Sequence, residues 1–215
     1  VNVCAMVATW YFLASVTTGA RPLNEAVCRG AFILYVCFIN IASAHHLLVD
    51  PAIGTTWKIW NTSYAMYLAV LASMIHGFTV PASVEVAMRE KGYVRGLFGW
   101  IGALPWERPM VLATGLAFVM LWFGGFGGLI NMSYGMNAMV HNTSWVTAHF
   151  HLIFGGSVVI MYFAIAYEIW PRLTGREHVS PAMLRLQLWL WFIGVLVISI
   201  AKRHRSPDAI GGRDV

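Results

Sequence analysis

Along this chain apolar and polar positions alternate in long blocks. Six apolar runs, at about 1–18, 31–48, 62–88, 109–133, 144–170 and 184–200, are separated by short stretches carrying Gly, Pro and charge, among them 19–30 and 171–183. A helix needs roughly 20 residues at 1.5 Å each to cross the hydrocarbon core of a bilayer, and every run is near that length. Within lipid only helices and closed barrels satisfy their own backbone, and the runs lack the two-residue alternation of a barrel strand. The pattern therefore predicts an all-α fold, a polytopic transmembrane helical bundle of about six spans. It reads as a single domain over 1–200 with a polar basic tail at 201–215.

Composition sharpens this. The chain has 215 residues, 59% of them hydrophobic and 11% charged. A soluble domain carries about 25% charged residues, so a soluble enzyme and a disordered tail are excluded. Cys4, Cys28 and Cys37 are odd in number and form no CxxC pair, so no disulfide framework is implied. The net charge of +5 is explained by loops, and no nucleic acid is expected as a partner. The loops after the first, third and fifth runs hold Arg21, Arg29, Arg89, Lys91, Arg95, Arg108, Arg172, Arg176 and Arg185, whereas the two between them hold only Lys58. Cytoplasmic loops collect Lys and Arg, which predicts the first group inside. Lys202, Arg203, Arg205 and Arg213 in the tail then fall on the other side, against the rule. The chain opens on Val1 already inside an apolar run, with no basic segment before it, and reads as a piece of a longer polypeptide.

Histidines carry the candidate chemistry. His45 and His46 close the second run, and His149 and His151 open the fifth. Because successive spans reverse direction, both pairs lie toward the same outer face. Residues two apart on a helix differ by roughly 200°, so His149 and His151 point to opposite sides and serve two different groups. His45 and His46 are about 100° apart and can share one metal where a helix end loosens. Neutral imidazole suits iron, copper and zinc, and ionisable groups inside membranes are functional as a rule. The bland alternative, interfacial histidines bonded to water or backbone, fits a single residue better than an HH pair and an HxH pair in one layer. The pattern points to metal or heme without saying which.

The stretch Ala44-His45-His46-Leu47-Leu48-Val49-Asp50-Pro51, followed by Gly54-Thr55-Thr56-Trp57-Lys58, resembles the copper-ligand segment of subunit I of heme–copper oxidases. The stretch His141-Asn142-Thr143-Ser144-Trp145-Val146-Thr147-Ala148-His149-Phe150-His151 is similar to that subunit's heme-ligand segment. Arg95-Gly96-Leu97-Phe98-Gly99-Trp100 and Leu104-Pro105-Trp106 resemble the B-type branch of the family. The resemblance runs from the family's sixth helix to its eleventh. It implies two hemes, one low-spin and one high-spin, and one active-site copper. His45 and His46 would be copper ligands, His149 the high-spin heme ligand and His151 the low-spin heme ligand. His141 and Asn142 would lie near the heme propionates. The catalytic set so implied is His45, His46 and His149, reducing dioxygen to water with electrons from cytochrome c. Oxidase subunit II, O₂ and the lipid bilayer are the implied partners, and a bacterial or archaeal cytoplasmic membrane the implied location.

The third apolar run carries Ser73, His76, Thr79 and Ser83 at spacings of three, three and four, which places them on one helical face. Small hydroxyls also bond back to their own helix or ease packing. An ionisable His76 in mid-membrane favours a proton path of Ser73, His76 and Thr79, with Glu85 near its inner end. Three positions depart from the family pattern: Asn2 stands at the slot of a tyrosine that supports oxygen chemistry, His76 replaces a hydroxyl, and Asn137 replaces an acidic residue above the heme. They motivate an alternative, a nitric oxide reductase of the same superfamily taking NO instead of O₂. A non-catalytic heme-bearing subunit is a second alternative. The glycines of Gly124-Gly125-Phe126-Gly127-Gly128 permit close approach of either a porphyrin or a neighbouring helix.

Overall fold

A computed structural model describes residues 2–42, 48, 51–177 and 180–204. His45 and His46 lie outside the described residues, as does 205–215 of the tail. Every regular element among the described residues is helical. They are α1 (Asn2–Thr18), α2 (Glu25–Ile41), α3 (Thr55–Glu90), α4 (Gly99–Gly102), α5 (Pro109–Met132), α6 (Tyr134–Val140), α7 (Ser144–Thr174) and α8 (Pro181–His204). Four of them, α3, α5, α7 and α8, are long and apolar enough to cross a membrane. With 17 residues each, α1 and α2 sit at the short end of the spanning range.

Several boundaries differ from the apolar runs, each for a local reason. α2 begins at Glu25 rather than near residue 31 because the Asn24 side chain accepts a hydrogen bond from the Val27 amide at 3.1 Å, capping the helix before its apolar face starts. α3 begins at Thr55, and its amphipathic Trp57–Trp60 turn runs through a π-helical turn, Asn61–Ala65, into the apolar segment. α7 ends at Gly175, whose left-handed φ of 67° suits glycine. Two short helices, α4 and α6, occupy stretches read from the sequence as loop or span end.

The main core lies between α1, α5 and α7, where Trp10, Leu13, Ala113, Ala117, Val158, Met161 and Ala164 are buried. α2 packs on α3, whose Ala69 and Ala72 are fully buried, small side chains that let two backbones approach. α5 and α7 meet along a seam of glycines. A methyl group at Gly124 would sit 2.5 Å from Ile153 Cδ1, and one at Gly156 would sit 2.9 Å from Met120 Cγ.

The loops sort onto two ends. Lys91 Nζ donates to the Thr18 carbonyl at 2.6 Å, and the Leu23 amide donates to Ser83 Oγ at 3.2 Å. Arg185 donates to the Glu107 carbonyl at 2.6 Å, and Arg108 pairs with Glu168 at 3.5 Å. These contacts gather the basic loops at one end of the bundle. At the other end Asn61 donates to the Ile41 carbonyl, and Lys58 lies near His141. The alternating topology expected from loop charge is the topology seen.

Candidate functional site

His149 and His151 sit where α7 changes character. The helix is regular from Ser144 to Phe150 and π-helical from His151 to Val158. Such widened turns gather at functional sites because they re-aim side chains without ending the helix. The His149 ring lies against the glycine face of α5. Its Nδ1 is 2.8 Å from the Gly124 carbonyl oxygen. A methyl group at Gly127 would sit 2.9 Å from that same nitrogen, and one at Gly128 would sit 3.4 Å from Cε1. An imidazole beside a carbonyl must carry its hydrogen on the facing nitrogen, so Nδ1–H donates and Nε2 keeps the lone pair a metal takes. His151 repeats the arrangement within its own helix, with Nδ1 2.7 Å from the Thr147 carbonyl. Both residues are half-buried.

Asn131 lies on the same face of α5, four residues beyond Gly127 and seven beyond Gly124. It is 1% exposed, and neither its amide nitrogen nor its amide oxygen has a hydrogen-bond partner. Buried amides are almost always paired, so this one marks a face that receives a polar group. A glycine wall, a tautomer-fixed imidazole and an unpaired buried amide on one face fit a heme with polar substituents.

His141 and Asn142 join α6 to α7. Asn142 takes the left-handed φ of 59° that the tight turn needs and is exposed, while Thr143 accepts from the Trp145 amide at 3.2 Å to start α7. His141 Nδ1 is 3.2 Å from Asn137 Oδ1, and the Asn137 amide donates to the Asn131 carbonyl. A chain of polar groups therefore leads from His141 to the α5 face. Burial, and secondarily the charge of nearby Lys58, hold the His141 imidazole below its ordinary pKa of 6.5.

On α3 the predicted polar face divides. Ser73 donates to the Ala69 carbonyl at 3.0 Å, and Ser83 to the Thr79 carbonyl at 2.6 Å, so both hydroxyls are engaged with their own helix. Glu85 pairs with Arg89 at 2.7 Å, and that arginine also donates to the Gly96 carbonyl. His76 differs. It is 1% exposed, with Nδ1 3.0 Å from the Tyr11 hydroxyl, and Tyr11, Phe32 and Tyr35 meet its ring edge-on. Tyr11 in turn donates to Cys28 Sγ at 3.4 Å. The sequence shows Tyr11 only as an isolated polar point in an apolar run, and Cys28 only in the stretch that precedes the next run. Their mutual contact was not legible there, whereas the glycine run that receives His149 was.

Comparison with known proteins identifies the family. The family model described as cytochrome c and quinol oxidase polypeptide I matches residues 1–202. Cytochrome c oxidase subunit 1 of Thermus thermophilus is 37% identical over 193 residues, covering 88% of this chain and 34% of that protein. A second, shorter Thermus thermophilus sequence of the same name is 39% identical over 103 residues, covering 46% of this chain and 94% of that one. Among solved structures, a chain of a heme–copper terminal oxidase dimer determined by cryo-EM superposes with a TM-score of 0.84 at 30% identity, covering 92% of this chain and 35% of its own. The chain thus spans about a third of the length of the first relative and of the solved structure. An all-helical bundle with four helices long and apolar enough to cross a membrane, and a family match over nearly its whole length, make the chain a member of the cytochrome c and quinol oxidase polypeptide I family, an integral membrane family of the heme–copper oxidases.

Proposed function

We propose that this chain is part of subunit I of a B-type terminal oxidase that reduces dioxygen to water with electrons from cytochrome c. The observation that carries this reading is His149: its Nδ1–H is committed to the Gly124 carbonyl on a glycine-walled face of α5, which makes Nε2 the nitrogen suited to a metal. His149 holds the high-spin heme iron, His151 the low-spin heme iron, and His45 with His46 two positions of the copper. When bound, these groups supply the stepwise electron chemistry of oxygen reduction. The chain's own residues orient them. The Gly124 and Thr147 carbonyls fix the two ring tautomers, and Asn131, His141 and Asn142 meet the polar edge of a heme, where hydrogen bonds offset buried charge. Ser73, His76, Thr79 and Glu85 mark the route by which protons reach the site from the basic end. Subunit II delivers the electrons, and the bilayer is that of a bacterial or archaeal cytoplasmic membrane.

The test uses the complete oxidase that carries this sequence, supplied with reduced cytochrome c. Oxygen consumption is expected, together with loss of the high-spin heme spectrum in His149→Ala and of the low-spin spectrum in His151→Ala. A complex that loads both hemes and copper, consumes NO and leaves O₂ untouched refutes the oxidase reading in favour of nitric oxide reduction.

A further inference from the structure

The basic end of the bundle carries a loop that is apolar on its outside. Between α3 and α4, Tyr93, Val94, Leu97 and Phe98 are 46%, 63%, 68% and 68% exposed. Single exposed apolar residues are ordinary, but a contiguous group marks a contact surface. The backbone of the same loop is turned inward. The Arg89 guanidinium reaches from the end of α3 and donates to the carbonyls of Val94 at 3.4 Å, Gly96 at 3.0 Å and Leu97 at 3.4 Å. The Trp100 indole donates to the Leu97 carbonyl at 3.1 Å, and the Trp106 indole to the Ile101 carbonyl at 2.7 Å. The carbonyls of Phe98, Trp100 and Leu104 accept from the amides of Ile101, Ala103 and Trp106. A water-facing loop leaves such carbonyls to solvent, whereas near lipid each must find its donor within the protein. Gly92 and Gly96, at φ of 96° and 61°, reverse the chain, and α4 packs back against α3.

The charges of the loop divide in the same sense. Arg89 is engaged by Glu85 and the loop carbonyls, and Lys91 by the Thr18 carbonyl. Arg95 is exposed and makes no hydrogen bond or ion pair among the described residues. We propose that residues 93–98 form an interfacial anchor whose ligand is an anionic phospholipid. Tyr93, Val94, Leu97 and Phe98 enter the boundary between headgroups and acyl chains in the leaflet at the basic end, and Arg95 binds the phosphate of a headgroup. Apolar side chains over a backbone that needs no water fit acyl chains. An unpaired guanidinium fits a phosphate, which it can grip with two parallel N–H donors. Segments of this kind sit roughly 5–10 Å into the headgroup boundary, so the loop sets the depth of α3 and α5 in the bilayer.

The experiment attaches a fluorophore at position 98 through Phe98→Cys, with Leu97→Cys as the second site, in the complete oxidase reconstituted into phosphatidylcholine vesicles. The unsubstituted complex, labelled identically, supplies the background from exposed Cys37. Two quenchers are compared, phospholipid brominated on its acyl chains and aqueous iodide, each read as a ratio to unquenched vesicles. Bromolipid is expected to quench both sites and iodide to leave them nearly untouched. Quenching by iodide alone would put the loop in water, and protection from both would put it under another protein chain; either overturns the proposal. At equal mole fraction, brominated phosphatidylglycerol is expected to be enriched about fivefold at the label over brominated phosphatidylcholine, the preference of one cation near an anionic surface. That enrichment should disappear in Arg95→Gln. Enrichment absent from the parent complex, or intact in Arg95→Gln, overturns the phosphate assignment. Arg89→Gln tests the backbone: freed carbonyls must seek water, so iodide quenching should rise and bromolipid quenching fall. If that variant fails to assemble, Trp100→Phe removes a donor from the Leu97 carbonyl and takes its place. Quenching unchanged from the parent would overturn the link between inward hydrogen bonds and immersion.

Discussion

Replacing Gly127 by alanine would put a methyl carbon 2.9 Å from His149 Nδ1, 3.2 Å from its Cβ and 3.3 Å from its Cγ. Ordinary contact begins near 3.5 Å, so the ring must retreat from α5 by about 0.6 Å. The Nδ1–Gly124 oxygen distance is 2.8 Å, and the same retreat stretches it to about 3.4 Å, the edge of a real hydrogen bond. Two costs follow. Overpacking a tight helix contact costs about 1–3 kcal/mol. Losing the hydrogen bond that orients a metal-binding imidazole lowers affinity for the bound group by about 10–100-fold. The assay is heme content and the high-spin absorption spectrum of the purified complex, with the melting temperature followed in parallel. Gly125→Ala is the control, since a methyl group there meets nothing within 4 Å. The reasoning predicts a depleted or shifted high-spin spectrum in Gly127→Ala and a parental one in Gly125→Ala. Identical spectra and melting temperatures in both variants would refute it.

Two further outcomes are expected. Because His141 has a folded pKa held below 6.5, the unfolded chain takes up its proton first as pH falls, so stability is lost below about 6.5 and through the folded value. The melting temperature should accordingly drop less steeply between about pH 7 and 5 in His141→Asn than in the parent, and equal slopes would contradict the assignment. Glu168 is 9% exposed and joins Arg108 of the α5 entrance to Arg172 of its own helix, so Glu168→Gln should cost about 1–3 kcal/mol, read by thermal unfolding. An unchanged melting temperature would show that the arginines are equally well solvated without it.

What the sequence revealed and what it hid divide along physical lines. Apolar blocks locate helices because burying a backbone in lipid leaves no other choice, and the charge of the loops anticipated which of them share an end. The glycine run at 124–128 was legible as a close approach, and the approaching group is now seen to be His149 with Ile153 beside it. By contrast, Tyr11 and His76 are 65 positions apart, and no periodicity relates them. Ser73 and Ser83 looked like path-lining hydroxyls because spacing places them on one face, yet spacing cannot show that each is satisfied by a carbonyl four residues back. The π-helical turn that begins at His151 leaves no compositional mark, although it packs against α5. The ion pair at Glu85 required Arg89 to choose it over the solvent, a matter of the fold of the loop through Gly96.

The glycine seam between α5 and α7 also bears on biogenesis. The pocket of His149 belongs to neither helix alone: one supplies the imidazole, the other supplies the carbonyl and the absent methyl groups. Membrane helices form first and associate afterwards, with small residues deciding how closely they dock. Until that docking is complete the imidazole has no fixed tautomer and no wall behind it. On the function proposed for His149, the newly inserted segment therefore cannot select its prosthetic group early, and the order of maturation is written into the seam: helix pairing precedes capture.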